Sequence, residues 1–325
     1  ISHHDAGIWS DDHIPGLAEI AAFLSAHGAV PGIQLAHAGR RASVSQPWRG
    51  GLPLAPNAAE VTERSWHTAA PSGLPAGPDW PIPAEITVEG ISNSLGDWAS
   101  AASRAVQAGF RFLELHGAHG YLLHSFFSPL SNNRADEYGG SLESRMRYPI
   151  EVVEAVRDAI PDDVVLSYRV SSVDGLPGGV TIEDTTEFAV RLGLAGVDVV
   201  DTSSGGITTD RSVDNRVRRG FAFHADFSHA VRERAGVATA TVGLVVDPDQ
   251  ASLLIETGSC DIVLLGRAML DDPNWAMRAR QTLSTPDPEG DVRFETFLPA
   301  WRSSIEKLLT SGESPLARFS EGNSE

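Results

Sequence analysis

Six short apolar runs, each paired with a helical pattern, constrain the fold of this chain more than any other feature. The runs cover 30–36, 110–116, 164–170, 197–201, 238–243 and 261–266. Helical patterns occupy 14–27, 92–107, 142–159, 182–194, 221–235 and 249–257, with Gly28 as a stop after the first. Near-continuous apolar strands alternating with amphipathic helices call for a parallel sheet covered on its outer face. An open doubly wound sheet would advertise a GxGxxG turn after an early strand, and none follows any strand here. A (β/α)8 TIM barrel remains, of which six units are visible. The chain opens on Ile1 rather than methionine, so the expectation is that the first two βα units lie upstream. Two strand edges would then stand unpaired. The barrel domain is expected over 1–283, with 284–325 as a C-terminal extension, partly mobile.

Charge and cysteine content narrow the function. With 25 basic and 43 acidic residues the formal net charge is −18, which opposes a nucleic-acid partner. The single cysteine, Cys260, forms no intrachain disulfide, CxxC zinc site or cysteine-ligated iron–sulfur cluster. A reducing cytoplasm is the natural home. No apolar run reaches the length of a transmembrane helix.

Leu115-His116-Gly117-Ala118-His119-Gly120-Tyr121 carries most of the chemistry, because it gathers three proton-capable side chains just beyond a buried strand. Two histidines and a tyrosine together suit a site that holds one polarised oxygen and supplies one proton. The same residues could serve only to satisfy buried backbone groups, and the segment alone does not choose. The other suggestive groups also follow strands, where a barrel puts its active site. They are Gln34, His37, Arg40 and Arg41; Arg169; Thr202-Ser203-Ser204-Gly205-Gly206; Gly243; and Gly266-Arg267. Glycines after the last two strands are a frequent phosphate cradle, and Gly243, Gly266 and Arg267 fit one. Between 42 and 90, eight prolines from Pro47 to Pro83 forbid a helix or central strand. That segment reads as a long loop over one end of the barrel, walled by Trp48, Trp66 and Trp80.

Several longer runs add specificity. They are Gly32-Ile33-Gln34-Leu35-Ala36-His37-Ala38-Gly39-Arg40; His116 through His124; Phe127-Ser128-Pro129-Leu130-Ser131-Asn132-Asn133-Arg134; Asp136-Glu137-Tyr138-Gly139-Gly140-Ser141 with Arg145; Asp201 through Gly206; and Leu265-Gly266-Arg267. On these the chain resembles the Old Yellow Enzyme family of flavin-dependent ene reductases (NADH:flavin oxidoreductases, NADPH dehydrogenases), in its thermophilic-like or xenobiotic-reductase-like branch. The likeness runs from about Ile1 to Leu283. Two departures stand out. The family's first two strands, which carry flavin contacts, fall upstream of Ile1, and the end from Asp291 onward does not match the branch's short Tyr-Arg terminus.

The resemblance implies FMN as cofactor and NADPH or NADH as reductant. Gln34 would bond the flavin pyrimidine edge, Arg169 would lie beside N1 and the C2 carbonyl, and Gly243, Gly266 and Arg267 would take the phosphate. His116 and His119 would grip the carbonyl oxygen of a small-molecule enone-type substrate, and Tyr121 would protonate its α-carbon after hydride reaches the β-carbon. A homo-oligomer or a fusion to another flavin domain is left open. Other residues read as structural: His37 as a hydrogen-bonding turn residue, Ser141 as the cap of the helix from Leu142, Cys260 as packing, and His3, His4 and His13 as surface residues without metal-site spacing. Two further classes stay in view, a cofactor-free barrel lyase acting on a phosphorylated substrate and an inactive truncated barrel.

Overall fold

Runs of β-branched and aliphatic residues become strands, and the patterned segments between them become helices. The computed structural model describes residues 1–54, 64–210, 212–213, 217 and 219–283. In chain order the elements are α1 (Ile14–Ala26), β1 (Gly32–Leu35), β2 (Ala69–Ala70), β3 (Ala84–Glu85), α2 (Val88–Gln107), β4 (Phe112–Gly117), α3 (Leu122–Phe127), α4 (Leu142–Ala159), β5 (Val165–Ser171), α5 (Ile182–Leu194), β6 (Val199–Ser203), α6 (Ala225–Ala235), β7 (Ala238–Thr241), α7 (Pro248–Glu256), β8 (Ile262–Val263), α8 (Arg267–Asp271) and α9 (Trp275–Leu283). Ile1–Trp275 form one compact unit. Of the second, Ala276–Glu325, the described residues continue α9; the expected extension 284–325 lies outside the described residues.

Six strands pair in parallel in the order β1-β4-β5-β6-β7-β8, the sequential order of a barrel wall. β1 and β8 are its edges among the described residues, each paired on one side. The small parallel pair β2-β3 lies within the proline-rich segment. No described helix is long and apolar enough to cross a membrane.

Register sorts the side chains into two faces. Leu35, Leu115 and Tyr168 align across β1, β4 and β5, and Tyr168 aligns with Val200 on β6. This row faces the helices and is buried. Ile91 and Trp98 of α2, Tyr148, Val152 and Val156 of α4, and Phe188 and Leu192 of α5 close over it in one continuous core. Each such side chain contributes about 1.5–3 kcal/mol by leaving water. The opposite face is polar: Gln34, Glu114 and Ser167 share one level, and His116, Arg169 and Asp201 the next.

Local chemistry sets the helix starts. Ser141 accepts from the Ser144 amide at 3.1 Å, as its position before Leu142 predicts. Thr87 and Thr181 do the same for α2 and α5, the latter in a reciprocal capping box with Asp184.

Arginines that follow β1 and β4 fasten the proline-rich segment through its own carbonyl oxygens. Arg40, just after β1, is buried and donates to Leu74 and Pro75 and, from its other terminal nitrogen, to Ile207 beyond β6. Arg134, in the β4–α4 connection, donates to Pro71 and Ile86 and pairs with Asp136. Asp136 and Tyr138 therefore belong to a loop that does more than lead into α4, since it holds the proline-rich segment in place.

Candidate active site

β4 is buried along its last residues and ends at Gly117, after which the chain turns tightly through Ala118, His119 and Gly120. His119 has φ +59° and Gly120 φ +74°. The glycines are sterically required. A Cβ on Gly117 would sit 2.2 Å from the buried Tyr168 hydroxyl, and one on Gly120 would sit 2.3 Å from the Gly206 carbonyl oxygen. Arg41 pins the same junction, donating to the His119 carbonyl at 2.6 Å and the Gly206 carbonyl at 2.9 Å. Gly120→Ala is therefore expected to destabilise by clash as well as strain, whereas Gly140→Ala, at φ +80° with nothing within 4 Å of the new Cβ, should lose only the roughly 1–2 kcal/mol of a left-handed L-residue. Thermal unfolding of the two variants measures the difference; equal losses would remove the clash argument.

This turn brings the predicted trio together. His116 and His119 rings meet edge-on at 5.0 Å between centroids, and His116 and Tyr121 at 4.7 Å. Hydrogen bonding assigns the tautomers. The Ala118 amide donates to His116 Nδ1 at 3.2 Å, so a neutral His116 carries its proton on Nε2 and donates to His119 Nδ1, also at 3.2 Å. His119 then holds its proton on Nε2 and donates to Ser203 Oγ at 2.7 Å. Burial, reinforced by Arg169, pulls His116 down to about 3; burial, reinforced by His116 and Arg169, pulls His119 down to about 2. Both are neutral donors at ordinary pH. The Tyr121 hydroxyl has no protein partner among the described residues, and burial raises its pKa against the opposing pull of Arg41, whose guanidinium lies 5.9 Å from the ring centre.

Arg169 on β5 aligns with His116 on one side and Asp201 on the other. Its Nε lies 3.1 Å from Asp201 Oδ2 without the alignment of a hydrogen bond. Its terminal nitrogens have no protein partner among the described residues. One level away, Gln34 Nε2 donates to Glu114 Oε1 at 2.7 Å, and Ser167 donates to the other Glu114 oxygen at 2.9 Å. Gln34 thus lies on the same polar face as Arg169, its amide oxygen without a donor among the described residues.

Gly243 and Gly266-Arg267 follow the neighbouring strands β7 and β8. Gly243 has φ +125°, and a Cβ there would press on Phe223 and on His224 Nδ1. Gly266 opens onto free space, and Arg267 is exposed without a protein partner among the described residues. These groups suit an anion. His224, which sequence reasoning passed over, stands between this end and the histidine pair. Its Nδ1 donates to the Val242 carbonyl at 2.9 Å, and its Nε2 accepts from Ser204 at 2.8 Å. Burial lowers it to about 4, with Arg169 and Arg219 adding to the fall against the Val242 bond. Ser203 and Ser204, adjacent on one strand end, therefore bond to two different histidines. The serine pair after an apolar strand was the one signal in the sequence for this link.

Beneath the turn, His124 and Asp174 are fully buried 3.0 Å apart. His124 Nδ1 accepts from the Gly120 amide, and Asp174 accepts from Ser128 and the Val180 amide. Burial raises Asp174, but His124 and these hydrogen bonds hold it below its ordinary value. His37 accepts from the Gly39 amide at 3.0 Å, a turn contact as expected. Cys260 is buried and free.

Comparison with known proteins identifies the family and agrees with the fold. The family model described as NADH:flavin oxidoreductase / NADH oxidase matches residues 1–286. The chain is 39% identical over 285 residues to an NADPH dehydrogenase of Geobacillus sp. strain WCH70, covering 88% of this chain and 76% of that one. Among solved structures it is similar to morphinone reductase, with TM-score 0.65, 25% identity and coverage of 87% and 74%. It is similar as well to a 2-naphthoyl-CoA reductase bound to 2-naphthoyl-CoA, with TM-score 0.70 and 26% identity; 85% of this chain is covered but only 41% of that protein. The chain belongs to the NADH:flavin oxidoreductase / NADH oxidase family, and with it to the Old Yellow Enzyme group of α/β-barrel, FMN-dependent, NAD(P)H-oxidising enzymes.

Proposed function

We propose that this chain reduces activated alkenes, α,β-unsaturated carbonyl compounds, with His116 and His119 holding the carbonyl oxygen and Tyr121 supplying the proton to the α-carbon. The observation that carries the reading is the unpartnered Tyr121 hydroxyl held edge-on beside a neutral His116 whose neighbour is His119. FMN, when bound, supplies hydride transfer from NADPH or NADH to the β-carbon. The chain's own groups fit that cofactor. The free terminal nitrogens of Arg169 would lie at the electron-accepting edge of the ring, where a fixed cation favours added negative charge. Gln34 would offer its amide to the pyrimidine edge. Gly243, Gly266 and Arg267 would receive the phosphate.

Substrate binding changes the hydrogen bonding of the pair. A carbonyl oxygen would take the His119 Nε2–H that Ser203 otherwise accepts and the His116 Nε2–H that His119 Nδ1 otherwise accepts, and Ser203 keeps its own hydroxyl proton for another acceptor. Neutral imidazoles polarise the oxygen without giving up a proton. The proton comes instead from Tyr121, whose raised pKa keeps it protonated until the carbon needs it.

The deciding experiment is the visible spectrum of the purified protein. A flavin band that bleaches with NADPH and returns on adding cyclohexenone is the expected result; a colourless protein that binds no added FMN would sink the reading. Arg267→Ala should weaken FMN binding about tenfold in a fluorescence-quenching titration, since a hydrogen bond to a charged group contributes roughly 1.5 kcal/mol at an exposed site. Unchanged affinity would move the phosphate elsewhere.

A further inference from the structure

Asp201 is the strangest residue on the polar face. Its side chain is completely buried, and neither carboxylate oxygen has a hydrogen-bond partner among the described residues. A buried carboxylate without hydrogen bonds is strongly disfavoured unless a cation compensates it. The compensating cation is Arg169, with Nε 3.1 Å away. Yet that guanidinium is also the group that would serve the flavin.

We propose, resting on the FMN reading above, that Asp201 acts through Arg169 as the charge-setting residue of the site, binding a proton from solvent when negative charge is placed beside Arg169 and releasing it when that charge leaves. One guanidinium compensates two anions poorly. Negative charge arriving on its outer side weakens its hold on Asp201, and the carboxylate then gains a proton. Linkage makes the effect reciprocal: a proton on Asp201 favours the added charge by the same factor.

The groups facing Asp201 support this. Arg169 on β5 favours its charged form, Glu114 on β4 disfavours it, and burial outweighs both, raising the carboxyl to about 7. His116 and His119 on the β4 side and His224 at the start of α6 are neutral at that pH. β7 contributes Ala240 at this level and adds no charge. Asp201 is thus the carboxylate whose ionisation sits where small changes in local charge move it.

Atoms and charges balance over a turnover. With FMN bound, reduction would break the C–H bond of the dihydronicotinamide, pass its hydride to the cofactor and so place one added negative charge beside Arg169. An O–H bond forms on Asp201 with a proton from solvent, so the net charge around Arg169 is unchanged. When the hydride passes on to the alkene carbon, the Asp201 O–H bond breaks and its proton returns to solvent.

The test is the midpoint potential of bound FMN as a function of pH, in the full chain and in Asp201→Asn. In the wild type one extra proton accompanies each hydride near neutrality, so the slope of potential against pH roughly doubles there relative to alkaline pH. In Asp201→Asn the single slope should persist throughout. A reduced-minus-oxidised infrared spectrum gives a second readout that needs no variant. The carbonyl stretch of a protonated carboxyl should appear on reduction, shift on carbon-13 labelling of aspartate, and survive in Glu114→Gln. A doubled slope retained by Asp201→Asn, a wild type that never shows it, or a band insensitive to aspartate labelling overturns the proposal with FMN bound. A protein that binds no FMN overturns the reading beneath it, and the flavin absorbance distinguishes the two failures.

Discussion

Tyr121→Phe is expected to slow reoxidation of the reduced flavoprotein by an enone by roughly 10²–10⁴-fold, the usual range for loss of a positioned general acid. Reduction by NADPH should be spared. The split follows from position: the hydroxyl has no protein partner among the described residues, so its removal breaks no described hydrogen bond, while the ring keeps its edge contact with His116. Stopped-flow traces of the two half-reactions measure it. Equal slowing of both would mean that Tyr121 shapes the pocket rather than donating a proton.

His119→Ala should cost roughly 10²–10³-fold in enone reduction, the scale of losing one preorganised oxyanion donor. His116→Ala should do nearly the same, because without its Nε2–H the His119 ring loses the bond that fixes its tautomer. FMN content should be unchanged in both. Neither histidine titrates in the ordinary imidazole range, since burial leads the fall of one to about 3 and the other to about 2. The wild-type rate should therefore show no ionisation of this pair between pH 5 and 8, roughly the window of an unperturbed histidine. A rate that follows a single pKa near the free imidazole value, and loses it in His119→Ala, would show that the pair works as a cation.

The six strands of the main sheet were legible because each is a run of apolar residues bounded by glycine or polar turns, and α4 and α5 because their apolar faces repeat at helical spacing after clear N-terminal caps; the two-residue β2 and β3 were not. α3 escaped notice for a physical reason. All of its six residues, Leu122 to Phe127, are buried, so no polar face marks a period. The proximity of His116, His119 and Tyr121 could be read from one turn. His224, at the start of α6, could not, and Ser203, although part of the run after its strand, could not be given its partner His119, since spacing along the chain does not say which side chains of non-adjacent strands touch. Asp201 belongs to one of the motif runs, yet its isolation depends on how the Arg169 guanidinium of β5 is angled and on β7 offering only Ala240 at that level.

The fastening of the proline-rich segment has an evolutionary reading. Arg40 and Arg134 grip Leu74, Pro75, Pro71 and Ile86 through main-chain carbonyls, which every amino acid possesses. Apart from the exposed Glu85 carboxylate, 3.4 Å from Arg134, and the Ser72 hydroxyl that accepts from the Asn133 amide, the clasp does not inspect the side chains it holds. Mutations can therefore accumulate along that segment, changing the shape and polarity of its surface, while the anchors stay as they are. A library diversified there would vary that surface on a scaffold whose main-chain attachment points are indifferent to the outcome.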